Sequence, residues 1–270
     1  MKLYFMLAYT RRKADRPLLA EVIANLTAEG FEVATGVAES FAVSPEALRV
    51  EADLYILKSH SSLWLNLAAV LDAQQARILN SYPACVATNN KIRSTSRLYA
   101  AQVPIPRSWV TGDLARIPEV TDAMPLLLKP NVGRSGDGIR LVRDRAELAT
   151  TQIDDGMLVQ ELITPVEDEF KLYVIGDRVY GVRKHRDSGE REPVAVEPML
   201  ADIARRCGRA LGLEIYGVDV LVSAQGPVVV DVNYFPSFRG VPDVARPLTD
   251  YIRACAERRL PRWRADGAMR

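Results

Sequence analysis

The sequence predicts an α/β domain on a parallel sheet at its N-terminal end, followed by an α+β region built around antiparallel hairpins. Two observations carry this expectation. Through the first third, short apolar runs alternate with stretches whose apolar residues recur at helical spacing, the pattern of strands joined by helical crossovers. After Pro165 the apolar runs come in pairs around short polar turns, 170–175 with 179–183 and 216–222 with 228–233, which suits hairpins. The 270 residues, 48% of them hydrophobic, have ordinary globular composition. They suffice for one large domain or roughly two to three small ones.

Taken in order, residues 3–8 form the first expected strand. Asp15 is placed to cap a helix whose apolar stripe is Leu18, Leu19, Val22, Ile23 and Leu26, with Gly30 as its stop. Residues 31–34, 54–57 and 78–79 supply further strands, and Leu63, Leu67, Val70 and Leu71 mark one face of a second helix. A new helix opens at Thr88-Asn89-Asn90, with Ile92, Thr95 and Leu98 on one side, and Pro104 and Pro106 close it. The first boundary is therefore expected near Ala87, giving an N-terminal domain of residues 1–87. A strand at 126–129 then ends in Lys129, a glycine-rich stretch fills 133–138, and a strand follows at 139–142. Asp144 and Glu147 form a capping box ahead of a strand at 157–162. Met199, Leu200, Ile203, Cys207 and Leu211 line a later helix that ends at Gly212, and residues 259–270 are a basic tail. Parallel sheets bind ligands beyond the carboxyl ends of their strands, which singles out residues 9–12 and Lys58, Ser59 and His60.

A net charge of +1 argues against a general nucleic-acid binder. No apolar run reaches the roughly 18 residues needed to span a bilayer. The first residues carry their apolar stretch ahead of their basic cluster, the reverse of a secretory signal, so a soluble, cytoplasmic protein is expected. Cys85, Cys207 and Cys255 form no C-x-x-C pair. His60 and His185 are the only histidines, which leaves little for a zinc site or a histidine triad. Trp64 and Trp109 read as core residues.

The sharpest chemical signal is the second hairpin. With its turn centred on Gln225, Asp219 stands opposite Asp231, and strand alternation puts Asn233 on the same face. Val218, Val220, Val230 and Val232 then share the core face. Two carboxylates facing each other across a ladder repel; a divalent cation reverses that sign, and magnesium favours such oxygen ligands beside substrate phosphates. An exposed acidic face is the competing reading. Against it, Asp231-Val232-Asn233 ends an apolar strand and runs directly into Tyr234-Phe235-Pro236. The glycine-rich stretch has the outer glycine spacing of a P-loop, but Ile139 stands where that motif needs lysine. Its backbone N–H groups could still approach phosphate, and a plain surface turn reads equally well. Lys129 ends an apolar strand, where a lysine needs a counter-charge. Lys91, in the first turn of a helix, opposes the helix dipole and by itself reads as a solvated surface residue.

In this order, the features together resemble the ATP-grasp superfamily. The sequence shows a lysine at a helix start, a strand ending in Lys129-Pro130, a glycine-rich lid, a strand with Gln160-Glu161, and a hairpin with Asp219 and Asp231-Val232-Asn233. The resemblance runs from about Asn89 to Gly240. It implies two α+β subdomains, residues 88–164 and 165–258, clasping ATP between their sheets behind the N-terminal domain. It also implies roles. Lys91 and Lys129 would contact ATP phosphates, and Gly133, Arg134, Ser135, Gly136 and Gly138 would belong to a mobile lid. Gln160, Glu161 and Leu162 would line the adenine site, partly through backbone groups, and Glu169 falls where many members keep an acidic residue. Asp219, Asp231 and Asn233 would hold Mg2+, as two ions, with Mn2+ an alternative. Arg183, whose guanidinium suits phosphate oxygens, is the first candidate for stabilising the transferred phosphoryl group. Lys171 follows it, with Lys184, Arg186 and Arg239 as weaker candidates.

Two branches of that superfamily compete. Residues 129–138 look like carboxylate–amine ligases related to the ribosomal-protein glutamate ligases, whereas 170–177 and 231–238 resemble the inositol polyphosphate kinases that share the fold. Ligases commonly carry Glu at the position of Asp231; the kinases usually carry a histidine in the lid, and this lid has none. The ligase reading is preferred: Mg-ATP activates a carboxylate as an acylphosphate, which an amine or similar nucleophile attacks. A small-molecule kinase and a nucleotide-binding regulatory module without turnover are the alternatives. The implied partner is a small-molecule or peptide acceptor, with a homo-oligomer left open and no nucleic acid or membrane. Amide hydrogen exchange across 133–138 is expected to slow when Mg-ATP is added; equal exchange in both states would remove the lid assignment.

Overall fold

The computed structural model describes residues 1–8, 16–40, 42–132, 138–153 and 155–258. The expected cap Asp15, the strand-end residues 9–12, the lid residues Gly133, Arg134, Ser135 and Gly136, and the basic tail 259–270 lie outside the described residues.

The first elements are β1 (Lys2–Leu7), α1 (Arg16–Ala28), β2 (Glu32–Val37), β3 (Leu54–Leu57), α2 (Ser62–Ala73) and β4 (Ile78–Leu79). Their strands make one parallel sheet in the order β2-β1-β3-β4. β3 is buried along its whole length, as a strand covered on both faces must be. Ser61 caps α2 by accepting from Trp64 N. The buried face of α2 differs from the expected one. Trp64, Leu65, Ala68 and Leu71 point inward, while Leu63 and Val70 are exposed. Trp64 decides the rotation, because its indole needs both a buried face and a hydrogen-bond acceptor and finds the latter in Leu7 O at 2.7 Å.

α3 (Tyr82–Asn89) and α4 (Lys91–Ala100) come next. The sequence reading starts one helix at 88–90; the structure ends one there and begins another, with the expected boundary at Ala87 inside α3. Asn90 is the break: its backbone is extended and its side chain accepts from Arg93 N at 2.9 Å, an N-cap. β5 (Ser108–Thr111), β6 (Leu126–Pro130), β7 (Arg140–Val142), α5 (Arg145–Thr150) and β8 (Met157–Glu161) follow, their strands forming an antiparallel sheet ordered β5-β8-β6-β7. Asp144 caps α5 at Glu147 N (2.8 Å), but the Glu147 carboxylate accepts from Arg143 N, one residue ahead of the cap, a displaced form of the expected capping box.

A five-stranded sheet ordered β11-β10-β9-β12-β13 contains β9 (Glu169–Ile175), β10 (Arg178–Lys184), β11 (Arg191–Val194), β12 (Ile215–Ser223) and β13 (Gly226–Tyr234). α6 (Pro198–Leu211) and α7 (Ala245–Ala256) pack with it. α6 stops at Gly212, whose φ of 71° is left-handed and free of Cβ strain only in glycine. Leu200, Ile203, Cys207 and Leu211 are buried on α6, but Met199 is exposed: one residue before Leu200, it lies about 100° around the helix from that stripe. Among the described residues, no helix is long and apolar enough to cross a membrane.

One apolar cluster runs from the N-terminal sheet through Leu98 and Val103 into the five-stranded sheet and α7. The sheet β5-β8-β6-β7 has a separate core of Leu126, Leu128, Val142, Leu148, Met157 and Val159 together with Leu114 and Ile117. Asn80 seals the first body. Fully buried, its amide donates to Ile215 O (2.7 Å) and its carbonyl oxygen accepts from Glu214 N (2.7 Å) and Ile215 N (2.9 Å), so it serves the start of β12 as a neighbouring strand would. An Asn80→Ala change removes the acceptor of the Glu214 and Ile215 N–H groups, while Ile215 O keeps Phe235 N at 2.8 Å; it is expected to lower the unfolding free energy by about 2 kcal/mol, measured by urea denaturation.

Candidate active site

The acidic hairpin has the expected pairing for a reason the sequence reading did not contain. Ser223 pairs with Gly226, so the turn is Ala224 and Gln225, centred slightly ahead of the expected point. Continued, that register would set Asp219 against Val230. A β-bulge between Asp219 and Val220 takes up one residue, so that Val229 pairs with Val220 and Asp231 falls opposite Asp219. The bulge also corrects the faces. Val229, not Val230, joins Val218, Val220 and Val232 in the core. Val230 turns to the cleft, and its carbonyl accepts from Lys129 Nζ at 3.1 Å.

The cleft has a volume of about 730 Å³. Its floor is the face of the five-stranded sheet that carries Lys171, Tyr173, Asp219, Asp231 and Asn233. Its roof is the opposite sheet. Leu126 and Leu128 alternate into that sheet's own core, so Leu127 and Lys129 face the cleft, as does Gln160 from β8. Lys91 enters from the start of α4, and Lys58 and His60 from the end of β3. His60 stacks on Tyr234 with ring centroids 3.8 Å apart, and the Tyr234 hydroxyl donates to Ser59 O at 2.8 Å. A larger hollow of about 1010 Å³ opens on the other side of residues 161–164 but contains neither the lysines nor the paired aspartates.

The charges are closely paired. Asp231 bonds the Lys91 ammonium and accepts from Asn233 Nδ2 at 2.9 Å. Lys171 lies 2.8 Å from Asp219 and 2.7 Å from Glu169, and Glu169 also takes Lys184 at 2.7 Å. Burial opposes the charge on Asp231, but Lys91, the Asn233 hydrogen bond and Lys129 together outweigh it and hold this carboxyl below the ordinary range. Burial likewise opposes the charges on Glu169 and Lys171, and their ion pairs win: Lys171 and Lys184 lower Glu169, while Asp219 first and then Glu169 raise Lys171. Asp219 moves the other way. Burial raises it, the nearby Asp231 and Glu169 charges add to that, and Lys171 offsets only part. Burial also lowers Lys129. The like-charge repulsion expected between Asp219 and Asp231 is thus met by a separate lysine on each.

The sequence profile described as the RimK-like ATP-grasp domain matches residues 88–248. The chain belongs to this family. A probable alpha-L-glutamate ligase 2 of Shewanella amazonensis is 27% identical over 61% of this chain, which spans 63% of that relative's length. An ATP-grasp RimK domain protein from Sphaerobacter thermophilus superposes with a TM-score of 0.77 at 21% identity, covering 93% of this chain and 99% of that one. The ATP-grasp ligase PsnB, solved with a minimal precursor, Mg and ADP, superposes with a TM-score of 0.69 at 20% identity over 94% and 98% of the two chains.

Within this ATP-grasp domain, most residues singled out in the sequence converge and some do not. Lys91, Lys129, Gln160, Glu161, Leu162, Lys171, Asp219, Asp231 and Asn233 all line the cleft. Glu169 lies beside it and bridges Lys171 and Lys184. The amides of Glu161 and Leu162 are taken by Arg107 O (3.0 Å) and Pro125 O (3.2 Å), so backbone contacts to a base would fall to carbonyls there. Gln160 Nε2 donates to Ser108 Oγ at 2.9 Å, while its buried Oε1 has no partner. Gly138, at the far edge of the lid, has φ of 76° and would set a Cβ 2.8 Å from Pro130 Cγ, so only glycine fits. Arg183 is a correction. Strand alternation turns it to the opposite face of the sheet, over Phe170 and 3.6 Å from Glu192, and the cations that do face the cleft from β10 and β11 are Lys184 and Arg191. Arg239 also lines it, whereas Arg186 bonds Asp168 and Pro165 outside it. The sequence reading passed over Tyr173 and Arg191. Tyr173 follows from alternation with Lys171; Arg191 sits in Arg191-Glu192-Pro193-Val194, which has no apolar alternation to mark a strand.

The donor set suits magnesium in kind. Asp219, Asp231 and Asn233 offer oxygen atoms on one face, and lysines already satisfy the demand of that spot for positive charge. Among the described residues, no cluster of three or more His, Cys, Asp or Glu side chains forms a metal cage, so phosphate oxygens would have to complete the coordination. The ion pairs have a pH signature. Glu169 is held below its ordinary value of 4.5, so its ionised form stabilises the fold at neutral pH, and that contribution vanishes as pH falls through the lower, folded-state value. Asp219, raised, has the opposite sign. Glu169→Gln is expected to lower stability by about 2 kcal/mol near pH 7. Urea unfolding across a pH series should show the variant and the parent converging below pH 4.5.

Proposed function

We propose that the chain is an ATP-dependent carboxylate–amine ligase, in which one chain contributes three working units: residues 1–87, 88–164 and 165–258. The reading rests above all on the Asp219–Asp231 pair, flanked by Lys91, Lys129 and Lys171, on the floor of a cleft between two sheets. Family membership, the glutamate-ligase name of the Shewanella relative and the ligase name of PsnB support it. The kinase alternative gains no support from any of these and is not retained. PsnB has also been solved in complex with a precursor peptide, which favours an amino acid or a peptide as acceptor. Buried thiols at Cys85, Cys207 and Cys255 accord with a cytoplasmic setting.

Phosphoryl transfer asks little covalent work of side chains; position and charge neutralisation do most of it. Leu127 and Gln160 would face the base and Lys91 and Lys129 the phosphates. Mg2+, held by Asp219, Asp231 and Asn233, would neutralise charge on the phosphate oxygens. An acceptor carboxylate oxygen attacks the γ-phosphorus, the bond to the β–γ bridging oxygen breaks, and ADP leaves. An amine nitrogen then attacks the acyl carbon, inorganic phosphate departs with the acyl oxygen, and the nitrogen loses a proton. Lys171, kept protonated by Asp219 and Glu169, acts as a fixed positive charge and not as a base. Lys184, Arg191 and Arg239 provide further cations for anionic groups of the acceptor.

With Mg-ATP and a cognate acceptor, hydroxylamine is expected to intercept the acylphosphate as a hydroxamate while ADP is released. A stable phosphate ester with no hydroxamate would replace the ligase reading by a kinase. Nucleotide binding without ADP release under any acceptor would leave the regulatory module.

A further inference from the structure

The cleft is most tightly paired at the place where a metal ion would sit. Lys91 holds Asp231, and Lys171 lies 2.8 Å from Asp219. Both lysines are anchored from elsewhere. Lys91 opens α4, and its own N–H donates at 2.8 Å to Asn131 O, two residues before the glycine-rich stretch. The Lys171 ammonium is shared with Glu169 at 2.7 Å. A cation approaching this face meets two carboxylates already neutralised and two ammonium groups that repel it. Breaking such part-buried pairs is costly unless each partner gains a replacement.

We propose that Lys91 and Lys171 are placeholder cations, which hold Asp231 and Asp219 in the nucleotide-free protein and oppose divalent metal until nucleotide phosphates draw Lys91 away and Lys171 is left to Glu169. This inference rests on the ATP-grasp reading of the cleft and adds an order of binding to it. A triphosphate beside Lys129 offers Lys91 a new anionic partner. Asp231 is then free, and its oxygens together with those of the phosphates form the set that magnesium requires. Lys171 needs no new partner, because Glu169 retains it when Asp219 turns to a metal. Nucleotide and metal thereby become coupled ligands, each strengthening the other by the same factor.

The test uses Mn2+ as the probe, followed through the loss of its free-ion paramagnetic resonance signal, so that no turnover is involved. The full chain without nucleotide should bind Mn2+ weakly. A non-hydrolysable ATP analogue should tighten binding by about tenfold or more beyond the analogue's own affinity for the ion, within the range usual for coupled sites. Lys91→Gln and Lys171→Gln should each bind Mn2+ without nucleotide more tightly than the parent. Equal Mn2+ affinity with and without the analogue in the parent protein overturns the proposal. So does nucleotide-free binding in both variants as weak as in the parent. If the analogue binds but Mn2+ binds in no state, the metal role of Asp219 and Asp231 falls, and the placeholder role with it. Circular dichroism checks the fold of each variant; if Lys91→Gln is unfolded, Lys171→Gln and the parent comparison still decide the matter.

Discussion

Asp219 and Asp231 stand opposite each other on neighbouring strands in a part-buried site, where two like charges do not both persist without a cation nearby. The cations come from different parts of the chain. Lys91 lies at the start of α4, Lys129 at the end of a strand in the opposite sheet, and Lys171 on the strand beside Asp219. Hydrophobic burial builds two separate cores, and of these three cations only Lys129 reaches the site from the sheet that holds the second one. The shifts record the asymmetry of the arrangement. Asp231, with a dedicated lysine, is held more acidic than usual, while Asp219, whose lysine is shared with Glu169, is held less acidic.

The two cores give this arrangement mechanical meaning. The N-terminal sheet and the five-stranded sheet pack as one body, closed by Asn80, by the Tyr234 hydroxyl on Ser59, and by Arg77, which donates to the last carbonyls of α7. The sheet β5-β8-β6-β7 meets that body through polar links: Lys91 N to Asn131 O, Lys129 Nζ to Val230 O, and Val166 N to Val222 O. Units joined in this way, without a shared apolar core, are those that move relative to each other. One of these links uses the Lys129 ammonium itself, so an anionic group bound by Lys129 would compete with that contact.

Much of the fold was legible because strand alternation and helical spacing are local. β3 and β4 have their expected bounds, and the hairpins fall where the paired apolar runs put them. The misses arise where a tertiary partner overrides the local pattern. α2 turns its largest ring inward and leaves Leu63 outside. Asn90, read as part of one helix start, divides two helices, and α7 opens at Val244 with no side-chain cap to announce it. For the candidate site, residue types and order singled out Lys91, Lys129, Asp219, Asp231 and Asn233, which the fold brings to one cleft. Their pairing depended on a bulge that no local signal shows, and two errors, in turn centre and in register, cancelled. Arg183 was misplaced because chemistry was weighed ahead of parity: counting alternate residues from Lys171 through the β9–β10 pairing puts Val182 and Lys184 on the cleft side.

The overall charge of +1 conceals the electrostatic character of the cleft. Among the described residues, seven lysines and arginines line it against three carboxylates: Lys58, Lys91, Lys129, Lys171, Lys184, Arg191 and Arg239 face Glu161, Asp219 and Asp231. A recess with low-dielectric walls and one predominant sign concentrates counter-charged ligands far beyond what the net charge of the molecule suggests. The surplus is spread along the cleft. Lys91 and Lys129 gather about Asp231, while Arg191 and Arg239 lie near Tyr173, whose pKa they and Lys171 pull down against the larger effect of burial. A single small anion would leave one end uncompensated; a polyphosphate together with a second, anionic substrate would satisfy both. A net charge near zero therefore says little about what the cleft holds, because the deciding charge is local and the compensating acids lie elsewhere in the chain.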